Sequence, residues 1–470
     1  MVTGSKWVGT IIAIGLFVAG CTAQSISSKP VLDTEGELFV YLSPIPQEAD
    51  RLTFRLVGAA ALREDGSAFP LSLSIQTINR GDVSRERLLA SGPVPPGHYK
   101  GISLQVKSAS LKGEDGEAAL LLSGELFPVG VPFAVSRKRG TVLSLTLRFG
   151  DSVPGGFRFF PVFDAIVRGK LPGGLNGFVT SRGGNTVTVF DKVSGQVFGV
   201  IPTGAAPEGM ALDPLRRRVY VALSGEDAVE IIDVLGGEIV DRLNLVPGDT
   251  PSELALTPSG GKLLSVNSGS NTVSIIDPTV PVEEVRIPVG VDPRYLVVDR
   301  SGSRAYVLNA SSDTVTVLDI PGRRVAATIA TEAEPVRGDL NRNGSRLYIA
   351  HYSSPYLVVI DTTSLSIVRK IYVGAGASAL KVDPRTDWIY LSRKHTSQIE
   401  VFDPFSLLPI DFIHSGEMVT SMAIDGEENN LFLVLPEIRA IRGIRLVGKG
   451  VIMETDVGED PYELTLMGAR

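Results

Sequence analysis

The chain has 470 residues, 43% of them apolar and 21% charged, a folded composition whose length predicts two or three domains. A formal net charge of −7 with no long basic stripe excludes nucleic acid as the expected partner, because phosphate binding needs clustered Lys and Arg. Fifty Gly and 30 Pro with few long helical periods predict short strands joined by turns.

In chain order, residues 1–20 read as a secretory signal, with Lys6 as the charge of its first part and an apolar run over 8–17 too short to span a bilayer. The run ends in Val18-Ala19-Gly20-Cys21, and Cys21 is the only cysteine of the sequence. This end resembles the lipobox of bacterial lipoproteins, with Val18 where Leu is commoner. The resemblance implies a diacylglycerylated Cys21 that becomes the mature N-terminus and anchors the protein to a membrane. By the same resemblance, Thr22 in place of Asp favours the outer membrane, and 21–33 is the lipidated tether. With Cys21 lipidated, no disulfide framework is expected.

Residues 34–166 carry short alternating apolar runs, among them 37–42, 51–57 and 141–149, and predict an antiparallel β-sandwich. Pro95-Pro96-Gly97-His98-Tyr99 sets a tight turn from which a strand starts, with Tyr99 plugging the core edge and His98 as a turn residue. The segment resembles the Pro-x-Gly-x-Tyr strand start of extracellular β-sandwich modules, including a domain of bacterial lipoproteins. Gly169, Pro172 and Gly173 interrupt both periods and mark 167–173 as a linker.

Residues 174–470 are repetitive. An alternating strand closing on Asp recurs at Asp191, Asp233, Asp277, Asp319, Asp361 and Asp403, in steps of 42, 44, 42, 42 and 42, with a seventh copy over 439–445 that closes on Arg445. A Pro-led strand recurs from Pro207, Pro251, Pro293, Pro335, Ala377, Val419 and Pro461. Four short strands plus turns fill about 40 residues, and such a unit cannot bury its faces alone. Seven units therefore predict a seven-bladed β-propeller. The last unit holds one strand, 461–466, whereas 177–201 supplies three, so the final blade closes by one C-terminal and three N-terminal strands. The pattern in Tyr306-Val307-Leu308-Asn309 with 313–319, and in Ile287-Pro288-Val289-Gly290, resembles the YVTN family of propeller repeats found in lipoproteins and surface-layer proteins. That resemblance implies a fold; propellers host both enzymes and binding surfaces.

No catalytic constellation emerges, no cofactor is implied, and no metal ligands are assigned. The recurrent aspartates read as turn formers because a site would not repeat in every blade. His351 and His395 follow second strands of neighbouring blades, either as a shared pair or, more simply, as solvent-facing turn residues. Along the Pro-led strand, the third and fifth positions after Pro are almost all apolar and predict blade-to-blade packing, while Asp339 and Lys381 on adjacent blades predict an interblade ion pair near the axis. At the strand start, Glu208, Glu253, Arg294, Arg337 and Glu463 predict a charged channel rim that takes a ligand or partner. The leading expectation is a non-enzymatic binding or scaffolding protein of the cell envelope, with another envelope protein or a ligand on a propeller face. The alternative is a lactonase-like hydrolase using Glu208, Glu253 and Glu463 around a divalent metal, which Arg294 and Arg337 would oppose.

Overall fold

A computed structural model describes residues 29–113, 116–169 and 176–467. The signal segment, Cys21 and most of the tether lie outside the described residues. So do 170–173 of the expected linker, whereas Val167 and Arg168 belong to a strand, Phe163–Arg168, that pairs with Gly140–Leu147. No helix among the described residues is long and apolar enough to cross a membrane.

Where the sequence predicts an antiparallel sandwich, the N-terminal domain is built on a curled ten-stranded sheet around a single core, with a separate two-stranded sheet pairing Leu121–Leu122 and Arg158–Phe159. Gly36–Leu42 lies in mid-sheet, antiparallel to Arg87–Val94 but parallel to Gly140–Leu147. The reason is strand length. Leu52–Arg63 and Gly97–Gly113 run 12 and 17 residues, and their pairing shifts register at several points. Such bulges bend a strand enough for one sheet to turn over on itself. Tyr99 is fully buried; its hydroxyl donates to the Pro95 carbonyl at 2.7 Å and its ring stacks on Phe133 at 5.1 Å. The tight turn and the core plug are thus one device.

Gly36–Leu42 is buried at every position because both its faces are covered. Leu38, Val40 and Leu42 enter the sheet's own core, while Phe39 and Tyr41 pack with Val142 on Val197 and Val200 of the propeller. Charges seal this seam. Arg168 forks onto Glu86 at 2.7 and 3.1 Å, and Glu86 accepts the Val197 amide at 2.8 Å. Asp456 accepts from Arg87 at 2.6 Å and from the Leu88 amide at 3.3 Å, and Arg85 contacts both Asp456 and Glu454. Bidentate, mostly buried pairs of this kind fix geometry as well as adding energy, so the two domains dock directly on one another.

The propeller has seven four-stranded antiparallel blades. Blades 1–6 begin with the inner strands Pro207–Asp213, Pro251–Leu256, Pro293–Val298, Pro335–Leu340, Ala377–Val382 and Ser421–Asp425. Blade 7 takes Pro461–Leu466 as its inner strand, paired with Asn176–Ser181, and then Thr186–Asp191 and Val197–Pro202. Ring closure therefore depends on a six-residue strand near the C-terminus.

Local chemistry explains the repeat. The closing aspartates accept from backbone amides two or three residues on, as Asp191 does from Val193 and Ser194, and Asp361 from Thr363 and Ser364. These are Asx turns. Asn185, Asp227, Asn271 and Asp313 open the third strands with φ between 50 and 57°, a left-handed region that short polar side chains tolerate. Their side chains also accept from the turn leading into the next blade: Asn185 from Ala206, Asp227 from Thr250, Asn271 from Asp292 and Asp313 from Glu334, at 2.7–2.9 Å. One residue thus shapes a hairpin and holds the blade-to-blade crossover.

The apolar third and fifth positions pack as the spacing predicts. Met210, with Leu212 beside it, joins Phe178, Val187 and Ile201 of blade 7, whereas Ala211 faces the other way with Leu254 of blade 2. The second and fourth positions therefore face the next blade along the ring.

Candidate functional site

All seven inner strands run in the same sense along the axis, so the channel has a mouth where they start and another where they end. At the starting mouth the five charged residues do not form one ring. Glu208 and Arg294 follow their Pro by one residue, whereas Glu253, Arg337 and Glu463 follow by two. The pairing shifts register between the Pro and the second position, as between Pro251 and Glu253 and between Pro335 and Arg337, so these two sets diverge.

Arg294 is exposed and pairs with Asp292 at 2.9 Å. Glu208 is half-buried, accepts from Ser224 at 2.9 Å and lies 3.5 Å from Arg182, which pairs in turn with Asp460 at 2.8 Å. Glu253 is 6% exposed and packs on Gly209, where a Cβ would stand 2.6 Å from the Glu253 Cα. A glycine is therefore required at that close approach. Arg337 reaches across the channel: its guanidinium sits 5.0 Å from the Tyr295 ring centre in blade 3 and donates to the Thr420 carbonyl at 3.3 Å. Glu463 accepts from Ser421 at 2.9 Å through Oε1.

The electrostatics of this belt are unbalanced locally. Desolvation pushes the Glu253 carboxyl well above the usual carboxylate range, and the nearby Glu463 charge adds to the shift. Glu463 is raised by burial too, opposed by Arg337, and Glu208 is raised by burial, opposed by Arg182. Among the described residues Arg337 has no carboxylate oxygen within 4.0 Å, and the buried Glu463 Oε2 has no hydrogen-bond partner. Tyr295 and Tyr462, which charge alone does not single out, complete the walls, and Tyr462 stands against Arg182 at 5.4 Å. Aligning the second position of every inner strand (Gly209, Glu253, Tyr295, Arg337, Ala379, Ser421, Glu463) would have exposed the belt, since three small residues there leave room for the long ones.

Toward the other mouth, Asp339 and Lys381 form an interblade ion pair of 3.0 Å. Asp339 also accepts from the Leu340 and Val382 amides, each at 2.9 Å. The histidines do not assemble. His351 is not a solvent-facing turn residue: it is 1% exposed, with Nδ1 2.9 Å from the Tyr356 carbonyl and Nε2 2.9 Å from the Thr331 hydroxyl, while His395 is exposed in a turn. The carbonyl can only accept, so Nδ1 carries the proton and Nε2 accepts from Thr331. Burial lowers the His351 pKa to about 4. Among the described residues no group of three or more His, Cys, Asp or Glu side chains is arranged to hold a metal ion.

Architecture and channel define a seven-bladed β-propeller docked on a curled β-sheet. The fold is similar to solved structures. One is hydrazine synthase of Kuenenia stuttgartiensis, 15% identical over 58% of this chain and 92% of that one, with a TM-score of 0.53. Another is a functionally unknown protein from Desulfotomaculum acetoxidans, 13% identical over 63% of this chain and 99% of that one, with a TM-score of 0.57. Identities this low show the fold alone. No known protein family and no curated protein matches the sequence.

Proposed function

We propose that the protein is a binding scaffold of the cell envelope, with no catalysis of its own, whose propeller receives a protein partner or ligand at the mouth where the inner strands start. Support comes from one observation: polar capacity is left unspent there, on Arg337 without a carboxylate in reach and on the buried Glu463 Oε2. Leaving such groups unmatched costs about 1–3 kcal/mol each, more for charges, and a bound partner recovers that cost. Arg294 and Glu208 stand further out and would orient the incoming surface. In this reading Cys21 carries the lipid and holds the protein at a membrane, most simply the outer membrane.

The reading is tested by pulling down tagged full-length protein from membranes and comparing wild type with Arg294→Glu and Arg337→Gln. A specific partner lost in either variant supports it; partners unchanged in both overturn the assignment to this mouth. Metal analysis with a thermal shift on adding calcium or manganese tests the hydrolase alternative. A stoichiometric metal that raises the melting temperature and is lost in Glu253→Gln would replace the scaffold reading.

A further inference from the structure

Where the inner strands of blades 1–5 end lies a cavity of about 620 Å³. That size suits a small organic molecule. One part of its wall is apolar: Leu212, Leu256, Val298, Leu340 and Val382 come one from each of five successive inner strands. These are the equivalent positions of five of the seven inner strands, so this wall is an arc built by the repeat itself.

The charged groups facing the cavity are Asp213, Asp339, Arg300 and Lys381, formally balanced. Their hydrogen-bonding capacity is not. Both carboxylates are occupied. Asp213 accepts from the Leu215 and Arg216 amides at 3.0 Å and from the Arg216 guanidinium at 2.6 Å. Asp339 holds two amides and the Lys381 ammonium. The cations are not: Lys381 has three N–H donors with a single partner, Asp339, and exposed Arg300 makes no ion pair or side-chain hydrogen bond among the described residues. What the cavity offers a ligand is therefore donor capacity and positive charge, at the wall through Lys381 and at the edge through Arg300, between apolar surfaces.

We infer that this cavity is a binding site for a small organic carboxylate with an apolar body, its carboxylate on Lys381 or Arg300 and its chain against the leucine and valine arc. The site lies at the mouth opposite the proposed partner surface and does not depend on it.

Calorimetric titration of the full chain with octanoate, octanol and octylamine, which share a chain and differ in head group, tests the inference. Octanoate is expected to bind about tenfold tighter than octanol and tighter still than octylamine, the weight of one charge-assisted hydrogen bond. Lys381→Met should remove that preference while leaving octanol binding unchanged. Arg300→Glu, at an exposed position that bears on no packing, should weaken octanoate several-fold and keeps the test decisive if the Lys381 variant folds poorly. Equal binding of octanoate and octylamine, no binding of octanoate at millimolar concentration, or full octanoate affinity in both Arg300→Glu and a folded Lys381→Met would each overturn it.

Discussion

Lys192 is the residue on which closure of the ring is most economically tested. It follows the closing aspartate of a blade 7 strand, yet its ammonium is 1% exposed and lies 2.9 Å from Asp425 of blade 6, itself fully buried. The same Nζ donates to the Met467 carbonyl at 2.9 Å, just past the inner strand that completes blade 7. One cation thus joins blade 6, the N-terminal part of blade 7 and the C-terminal strand. Asp425 Oδ2 meets the ammonium at ion-pair distance without hydrogen-bond alignment, so the contact is chiefly Coulombic. Lys192→Met keeps most of the side-chain volume but strands a buried carboxylate, a change that costs about 3–5 kcal/mol when one partner of a buried pair is removed. For a unit of about 290 residues with an unfolding entropy near 2.1 cal/mol/K per residue, that corresponds to a melting point lower by about 5–8 °C. Lys192→Met/Asp425→Asn removes both charges and should recover part of the loss. Calorimetry or circular dichroism melts of the three proteins make the comparison. A single variant within about 1 °C of wild type, or a double variant no better than the single, would refute the argument, because either result means that the buried carboxylate is compensated elsewhere.

Two other outcomes follow from the same structure. Truncation before Pro461 removes the inner strand that pairs with Asn176–Ser181, so the shortened chain should lose its cooperative melt; a melt within a few degrees of wild type would show that the ring stands without its clasp. For His351, the folded pKa of about 4 lies below the ordinary value of 6.5, so the unfolded chain binds the extra proton first as pH falls. The neutral, buried imidazole is therefore fully compatible with the fold above about pH 6.5, and stability declines as pH drops toward 4, by up to about 3 kcal/mol. Denaturant titrations at pH 7 and pH 4.5 should show a smaller decline in His351→Gln than in wild type, and identical declines would assign the acid sensitivity to other groups.

The sequence alone determined the propeller, because a repeat is a one-dimensional signal. Strand period, turn chemistry and blade length recur in register, and the count of strands at the two ends dictates how the ring closes. It also located Asp339 and Lys381, since equivalent positions in adjacent repeats become neighbours once the blades stack. Cys21, whose surroundings resemble a lipobox, lies outside the described residues. The curled N-terminal sheet was not legible: alternation in Leu52–Arg63 and Gly97–Gly113 shows which side chains are buried, but not that bulges bend these strands so that one sheet encloses the core. Nor was the seam between domains, where Glu86, Arg168 and Asp456 meet from segments far apart in the chain. At the channel mouth, the sequence named five charged residues and read them as one rim. Only the tertiary structure separated exposed Arg294 from buried Glu253 and brought Arg337 across to Tyr295, because a one-residue shift in strand pairing turns a side chain to a different side.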